Sequence, residues 1–214
     1  TLDEYNGSRL VVYGNGDIHL YRNGGLWDFD EGSGSTAYDS FVHGNDLTKS
    51  GATWTSGKMG SALNFDGTND YVYRLYSSTL NGLSDVTLMQ WVKLDSVPAS
   101  YSVNLGGVVC EYWFEYRSNQ YVSLSTYINS QYNGDGFYAN LADGKWHLLT
   151  MTYDGVYKKG YLDGSLMAEY YLPGTLDSTN NQFKIGASYS SSQDYNGCPD
   201  GLIDEVRVYD YAFY

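Results

Sequence analysis

Short runs of alternating apolar and polar residues, each closed by glycine, asparagine or aspartate, recur along this chain, and helical periodicity is nearly absent. Alternation with a period of two is the pattern of β-strands that bury one face. The composition agrees, because 24 tyrosines and 25 glycines stand against 3 prolines, and tyrosine favours strands whereas glycine favours tight turns. For 214 residues, this pattern predicts a single all-β sandwich.

The alternating runs predict where the strands and long loops lie. Near the N-terminus, Leu10–Tyr13 and Asp17–Tyr21 flank Gly14-Asn15-Gly16, a strong hairpin signal. We therefore expect residues 1–24 to form a hairpin extension packed on a main domain of residues 25–214. Further strands are predicted at 62–65, 70–75, 86–94, 106–117, 120–128, 145–153, 157–163, 166–171, 182–187 and 201–209, with long loops at 95–105, 129–144 and 188–200.

The charge of the chain narrows the classes of partner. Its formal net charge is −13, which repels phosphates and anionic headgroups, so no nucleic acid partner is expected. No apolar run reaches the roughly 18 residues that a bilayer-spanning helix needs, so no membrane insertion is expected. Neutral ligands and cations remain open.

Several motifs, taken in order, resemble a known family. The motifs include Trp27-Asp28-Phe29-Asp30-Glu31-Gly32, Ala62-Leu63-Asn64-Phe65-Asp66-Gly67, Gln90-Trp91-Val92-Lys93, Asp143-Gly144-Lys145-Trp146-His147 and Gly201-Leu202-Ile203-Asp204-Glu205-Val206. They resemble the laminin G-like modules of the concanavalin A-like lectin/glucanase superfamily over roughly residues 25–210. The resemblance implies an antiparallel, two-sheet jelly roll, a fold that hosts binding, adhesion and hydrolysis alike.

The resemblance also implies a structural calcium ion. Related jelly-roll glucanases hold Ca²⁺ with an aspartate of the last strand and backbone oxygens from two earlier segments, which here match Asp204, Asp30 and Gly67. Alternation places Asp204 on the same face as the two valines that follow it, where an unpaired carboxylate would be costly and a cation would remove the cost. The alternative is that Asp204 accepts hydrogen bonds from backbone or arginine.

A predicted ligand-binding surface centres on the strand that follows Cys110. Alternation assigns one set of side chains to the core, Cys110, Tyr112, Phe114 and Tyr116, and a second set to a face open to solvent, Glu111, Trp113, Glu115 and Arg117. The predicted ligand-binding residues are Trp113 with Tyr121 and Tyr127 on the next strand, and Tyr132, Tyr138, Tyr189 and Tyr195 in the long loops. Aromatic rings suit the apolar C–H faces of sugars. Two alternatives remain: tyrosines that only fill strands, and contact with a protein partner.

Two other functions compete with glycan binding. Glucanases of this superfamily carry a strand whose outer glutamates perform retaining hydrolysis, and Glu111 and Glu115 match that spacing, but Trp113 replaces the middle aspartate. We therefore expect no enzymatic activity. A structural subunit of a filament, fibre or coat would instead self-associate through an edge strand or the N-terminal hairpin.

The two cysteines bear on the compartment in which the chain works. Cys110 and Cys198 are predicted to form a disulfide if the protein is secreted, worth about 4 kcal/mol for so long a loop, and two buried thiols are the alternative. Taken together, the sequence predicts an extracellular carbohydrate-binding or adhesion module of a larger surface or secreted protein. Its expected partner is a glycan or a surface protein.

Overall fold

The computed structural model describes residues 4–5, 8–12, 18–21, 23–41, 43–99, 101–186 and 196–213. Every regular element among these residues is a β-strand. In the same part of the chain there is no helix long and apolar enough to span a membrane.

The strands follow one another closely along the chain. In chain order they are β1 (Glu4–Tyr5), β2 (Ser8–Val12), β3 (Ile18–Tyr21), β4 (Gly24–Trp27), β5 (Thr36–Ala37), β6 (Leu47–Ser50), β7 (Thr53–Ser56), β8 (Ser61–Asp66), β9 (Tyr71–Arg74), β10 (Val86–Leu94), β11 (Ser102–Val108), β12 (Tyr112–Arg117), β13 (Tyr121–Ile128), β14 (Gln131–Asn133), β15 (Gly136–Tyr138), β16 (His147–Tyr153), β17 (Tyr157–Leu162), β18 (Ser165–Tyr171), β19 (Phe183–Gly186), β20 (Asn196–Gly197) and β21 (Asp200–Tyr209).

Two antiparallel sheets form a sandwich of the jelly-roll type. The eight-stranded sheet has the order β18-β17-β16-β10-β21-β8-β7, with β4 paired to β21. The ten-stranded sheet has the order β14-β13-β12-β11-β19-β9-β6-β5, with β15 paired to β13 and β20 to β11. The predicted all-β jelly roll is confirmed.

The core lies between the two sheets and follows the alternation of the sequence. On β10 the side chains of Val86, Leu88 and Val92 are fully buried, and on β12 those of Tyr112 and Phe114 are fully buried as well. Burial of each such side chain contributes roughly 1.5–3 kcal/mol. The inward face predicted for the strand after Cys110 is therefore confirmed for β12.

The N-terminal residues form a small sheet of their own, in the order β1-β2-β3. Strands β2 and β3 pair antiparallel, with Val12 opposite Ile18, so the predicted hairpin is confirmed. The turn at residues 13–17 lies outside the described residues. The division into an extension and a main domain stays a prediction.

The predicted strand over 106–117 is wrong, because the chain reverses within it. β11 ends at Val108, β12 begins at Tyr112, and the two strands pair antiparallel. The reversal passes through Cys110, whose φ of 67° lies in the left-handed region. No glycine, asparagine or aspartate occupies this turn, so it lacks the usual turn signal.

The predicted disulfide is also wrong, and both cysteines are unpaired. Cys198 follows Gly197, which pairs with Val103 near the start of β11, whereas Cys110 follows the end of the same strand. The two cysteines are therefore separated by most of the length of β11, roughly 15–20 Å at 3.3 Å per residue. A disulfide needs Cα atoms closer than about 7 Å.

Candidate functional site

The outer face of the ten-stranded sheet carries the residues predicted to bind a ligand. Cross-strand partners share a face, and the register pairs Trp113 with Ser125 on β13, Tyr127 with Tyr132 on β14 and Tyr121 with Tyr138 on β15. Because the neighbours of Trp113 on β12 point into the core, all these tyrosines lie on the outer side. We call Trp113, Tyr121, Tyr127, Tyr132 and Tyr138 the tyrosine face.

The prediction that the Trp113 indole is open to solvent is wrong. Only 4% of Trp113 is exposed, and its ring stacks against Tyr127 and Tyr132 at centroid distances of 6.1 and 5.9 Å. Residues 131–138, which the sequence analysis assigned to a loop, form β14 and β15 and pair back onto β13. This pairing brings Tyr132 against the indole.

The exposed part of the tyrosine face is formed by Tyr132 and Tyr138, which are 46% and 68% exposed. Tyr121 packs edge to face on Tyr138, with 5.0 Å between the ring centroids. Burial raises the pKa of Tyr121 and of Tyr127. Both phenols therefore stay neutral at physiological pH and keep a hydrogen to donate.

Tyr132 is held in place at its hydroxyl. Arg117 donates to the Tyr132 oxygen over 3.0 Å, and Ser125 lies 3.3 Å from the same atom. The Arg117 guanidinium lies over the rings of Tyr101 and Tyr121, 5.7 and 5.3 Å from their centroids. An exposed ring with its hydroxyl bound in this way loses little freedom when a ligand stacks on it.

The polar side chains beneath the tyrosines form a connected network. Glu115 accepts a hydrogen bond from the Trp113 indole over 2.9 Å and forms an ion pair with Arg117 over 3.5 Å. Asn104, opposite Glu115 on β11, uses its Oδ1 to accept from Gly106. Its buried Nδ2 and the buried Nε of Arg117 have no partner within the described part of the chain.

Two of the predicted ligand-binding residues, Tyr189 and Tyr195, lie outside the described residues. The sequence analysis did not select Arg117, Ser125 or Tyr101, although alternation already placed Arg117 on this face. Its contact with Tyr132 depends on how residues 131–138 pair with β13, which no local pattern indicates.

Of the predicted calcium ligands, Asp204 and Asp30 contact the same turn, residues 57–61, but Gly67 lies apart from them. Asp204 Oδ2 accepts from the backbone N–H groups of Lys58 and Met59 over 2.8 and 3.2 Å, and Asp30 Oδ1 accepts from the N–H of Ser61 over 2.8 Å. Gly67 bonds instead to the residue before Asp200, at the opposite end of this stretch of β21, about 13 Å from Asp204 at 3.3 Å per residue.

The surroundings of Asp204 do not fit a calcium ion. Its carboxylate accepts three backbone N–H groups, the third from Glu205, whereas Ca²⁺ needs six to eight oxygen ligands. Among the described residues, no group of three or more Asp, Glu, His and Cys side chains could hold a metal ion. Asp204 instead accepts backbone hydrogen bonds, the alternative raised from the sequence.

The face predicted for Asp204 is also wrong. Asp204 pairs with Trp91 on the outer side of the eight-stranded sheet, and the ladder is irregular just beyond this pair. Glu205 has a φ of 51°, and Val206 and Val208 return to the core. An extra residue in a strand reverses the face of the residues before it, and simple alternation does not predict such a bulge.

Glu111, the first of the two glutamates that match the glucanase spacing, is surrounded by hydrogen-bond donors of the protein. It is fully buried, and its carboxylate accepts from the Asn81 amide, the Gly82 N–H, and both the N–H and hydroxyl of Thr179. Glu115 lies on the outer face of the sheet, in the network under the tyrosines. The two glutamates therefore do not flank a common cleft, as retaining hydrolysis requires.

A sequence-family model agrees with this architecture. The model of the concanavalin A-like lectin/glucanases superfamily, in its laminin G form, matches residues 66–214. The chain belongs to the concanavalin A-like lectin/glucanase superfamily. In this superfamily member, the matched region holds the whole tyrosine face. A search of curated protein sequences finds no match.

Solved structures of similar fold include one domain in complex with a sugar. Domain 4 of a GH43 extracellular arabinanase from Geobacillus stearothermophilus, in complex with arabinotriose, superposes with a TM-score of 0.67 at 18% identity, covering 89% of this chain and 93% of that domain. A botulinum neurotoxin type C structure, whose cell entry depends on two ganglioside molecules, gives 0.69 at 9% identity. A Trypanosoma rangeli sialidase mutant gives 0.61 at 16% identity.

Both of the latter proteins are considerably longer than this superfamily member. The alignments cover 89% of this chain in each case, but 48% of the toxin chain and 31% of the sialidase chain. At such low identities the similarity shows the fold alone.

Proposed function

We propose that this chain is a carbohydrate-binding module that recognises its ligand on the tyrosine face. The observation that carries the proposal is Tyr132, an exposed ring that stacks on Trp113 and has its hydroxyl held by Arg117 and Ser125. Such a ring offers a fixed apolar surface, and the apolar C–H face of a sugar is complementary to it.

The polar groups around Tyr132 suit the hydroxyls of a neutral sugar. Arg117 is paired with Glu115, so this part of the face carries no excess charge. A chain with a net charge of −13 repels strongly anionic polymers, which again favours a neutral glycan.

The solved neighbours support carbohydrate in general as the ligand. A whole domain of similar fold is known with arabinotriose bound, and the toxin neighbour interacts with gangliosides. The arabinanase is extracellular, which supports the proposal that this module works outside the cell or at its surface.

The first test compares Tyr132→Ala with the intact protein. Loss of the exposed ring removes a stacking surface worth about 1 kcal/mol or more, so we expect affinity for arabinotriose, or for the best glycan on an array, to fall by about tenfold. Isothermal titration calorimetry measures the affinity. The matched control is Tyr171→Ala, because Tyr171 is also an exposed tyrosine but lies on β18 of the opposite sheet.

Two outcomes decide the proposal. Equal affinity in Tyr132→Ala and the intact protein would exclude the tyrosine face as the site. Absence of binding across the array by the intact protein would exclude glycan recognition itself. Repeating the array with EDTA is a separate check of the calcium prediction, and we expect unchanged binding because the Asp204 carboxylate accepts backbone hydrogen bonds instead.

Self-association stays a prediction beside this function. The edge strand β18 exposes Leu166, Met167 and Tyr171, as an edge that receives another strand would. The bulge between β17 and β18 is a feature that disfavours such pairing.

A further inference from the structure

The segment that carries Tyr132 and Tyr138 is anchored from inside the sandwich. Residues 131–138 pair with β13 on one side, and their backbone also receives side chains from the opposite sheet. Tyr170 of β18 donates to the Gly136 carbonyl over 2.6 Å. Lys158 of β17 donates to the Asn133 carbonyl over 3.1 Å.

Lys158 is a fully buried charge that spans the two sheets. Besides the Asn133 carbonyl, its ammonium donates to the Leu124 carbonyl of β13 over 2.8 Å and approaches the Thr126 hydroxyl at 3.4 Å. The Asp135 carboxylate lies 3.7 Å away. Every one of these oxygens belongs to β13 or to the segment that follows it, so the ammonium holds the two together from below.

Burying the Lys158 ammonium is energetically unfavourable, so its presence in the core calls for a structural reason. A lysine ammonium loses its hydration in the interior, and a core position on β17 would otherwise suit an apolar side chain. On the outer side of the same backbone lie the Tyr132 and Tyr138 rings. The buried ammonium therefore contacts residues 131–138 on the side opposite the Tyr132 and Tyr138 rings.

We propose that Lys158 is a positioning residue for the tyrosine face, and that glycan affinity depends on its ammonium holding residues 131–138 against β13. The inference rests on the proposed function. Lys158 contacts no ligand in this scheme. It acts through the Asn133 carbonyl, at the end of β14, and the Asp135 carboxylate, in the short interruption between β14 and β15.

Protonation of Lys158 offers a second readout. Burial lowers its pKa to about 8, and the Asp135 carboxylate opposes that shift. The titratable groups that face the ammonium are Asp135 on the segment, the Tyr170 phenol on β18, whose ring lies 5.9 Å away, and Tyr153 on the neighbouring strand β16, whose pKa burial raises to about 12. Above pH 8 the ammonium loses its proton before Tyr153 does, and the hold on the segment weakens.

The test replaces Lys158 by methionine, which keeps the length of the side chain without its charge. The matched control is Lys159→Met, because Lys159 is adjacent but faces outward and pairs with Glu169 over 3.0 Å. We expect Lys158→Met to lose about tenfold in affinity for arabinotriose or the best array glycan, and Lys159→Met to keep the affinity of the intact protein. Hydrogen exchange of residues 131–138 should accelerate in Lys158→Met alone.

The two readouts separate the two ideas. If the intact protein binds a glycan and Lys158→Met binds it equally well, the positioning role is overturned. Unchanged exchange in residues 131–138 overturns it too, and needs no ligand. If Lys158→Met does not fold, raising the pH of the intact protein from 7 to 9 replaces the variant, and exchange in residues 131–138, corrected for its intrinsic pH dependence, must then increase. Absence of glycan binding by the intact protein overturns the proposed function. The exchange measurement tests separately whether Lys158 holds residues 131–138 in place.

Discussion

Trp113 supports the tyrosine face from beneath. Its indole donates to Glu115 and stacks under Tyr127 and Tyr132, so one buried side chain orients both an exposed ring and the carboxylate that pairs with Arg117. A buried indole whose N–H is satisfied is a stable arrangement. The residue proposed from the sequence as a ligand contact therefore acts on its neighbours.

Asp204 leads to a prediction about pH. Burial raises the pKa of its carboxyl from 3.8 to about 6 in the folded protein. The folded state therefore holds a proton that the unfolded state releases at lower pH, and the resulting stabilisation is complete below about pH 4 and lost as the pH rises through 6. We expect the stability of the intact protein, relative to Asp204→Asn, to decrease between pH 4 and 6.

Urea unfolding of both proteins at several pH values measures this difference. Asparagine cannot titrate, so any loss of hydrogen bonds to Lys58 and Met59 changes the free energy of unfolding of the variant by the same amount at every pH. A change with pH in the difference between the two proteins therefore comes from the Asp204 carboxyl. A difference that is the same at pH 4 and pH 6 would contradict the raised pKa.

At the scale of elements, the short segment from β14 to β15 determines what the tyrosine face presents. Gly134, between these strands, leaves space for the hydrogen bond between Arg117 and the Tyr132 hydroxyl. A Cβ placed there would stand 2.3 Å from the Tyr132 hydroxyl and 2.8 Å from Arg117 Nη2. Both neighbours are ends of flexible side chains, so we expect these side chains to move while the backbone conformation stays the same.

Gly134→Ala is therefore expected to displace the Tyr132 hydroxyl from Arg117 while leaving the fold intact. Glycan affinity should fall several-fold, and the midpoint of thermal unfolding should shift by no more than a few degrees, as for a loss of about 1 kcal/mol or less. Calorimetric titration and thermal unfolding measure the two quantities. Gln131→Ala, an exposed change in the same segment, serves as the control, and an equal effect from it would refute the role of Gly134.

The alternation of residues correctly predicted the side of the sheet on which most side chains lie, but not which of them other residues cover. It placed Tyr112, Phe114 and Tyr116 inside and Trp113, Tyr121 and Tyr127 on the opposite side, because the period of a strand is a local property. It did not predict that Tyr132 covers Trp113, since that depends on β14 returning to β13. It also failed at Cys110 and Glu205, where a residue with positive φ interrupts the period without a glycine to mark it.

At the scale of the whole molecule, the sandwich is held together without a covalent link between its sheets. Cys110 and Cys198 are unpaired, and burial raises the pKa of the Cys198 thiol to about 12, which disfavours the reactive thiolate. We expect a reducing agent to leave the thermal midpoint unchanged, and mass spectrometry after alkylation under denaturing conditions to count two free thiols. A lower midpoint under reduction, or fewer than two alkylated thiols, would contradict the separation of the cysteines.

The last long strand, β21, lies in the middle of the eight-stranded sheet, with β10 along one edge and β8 and β4 along the other. Until β21 is in place, β8 is paired only with β7 and β10 only with β16, so each has one unpaired edge. The sandwich therefore closes only when this strand joins it, and partners so distant in sequence make closure slow. A chain that has not yet placed β21 exposes the edges of β8 and β10, and unpaired strand edges favour aggregation.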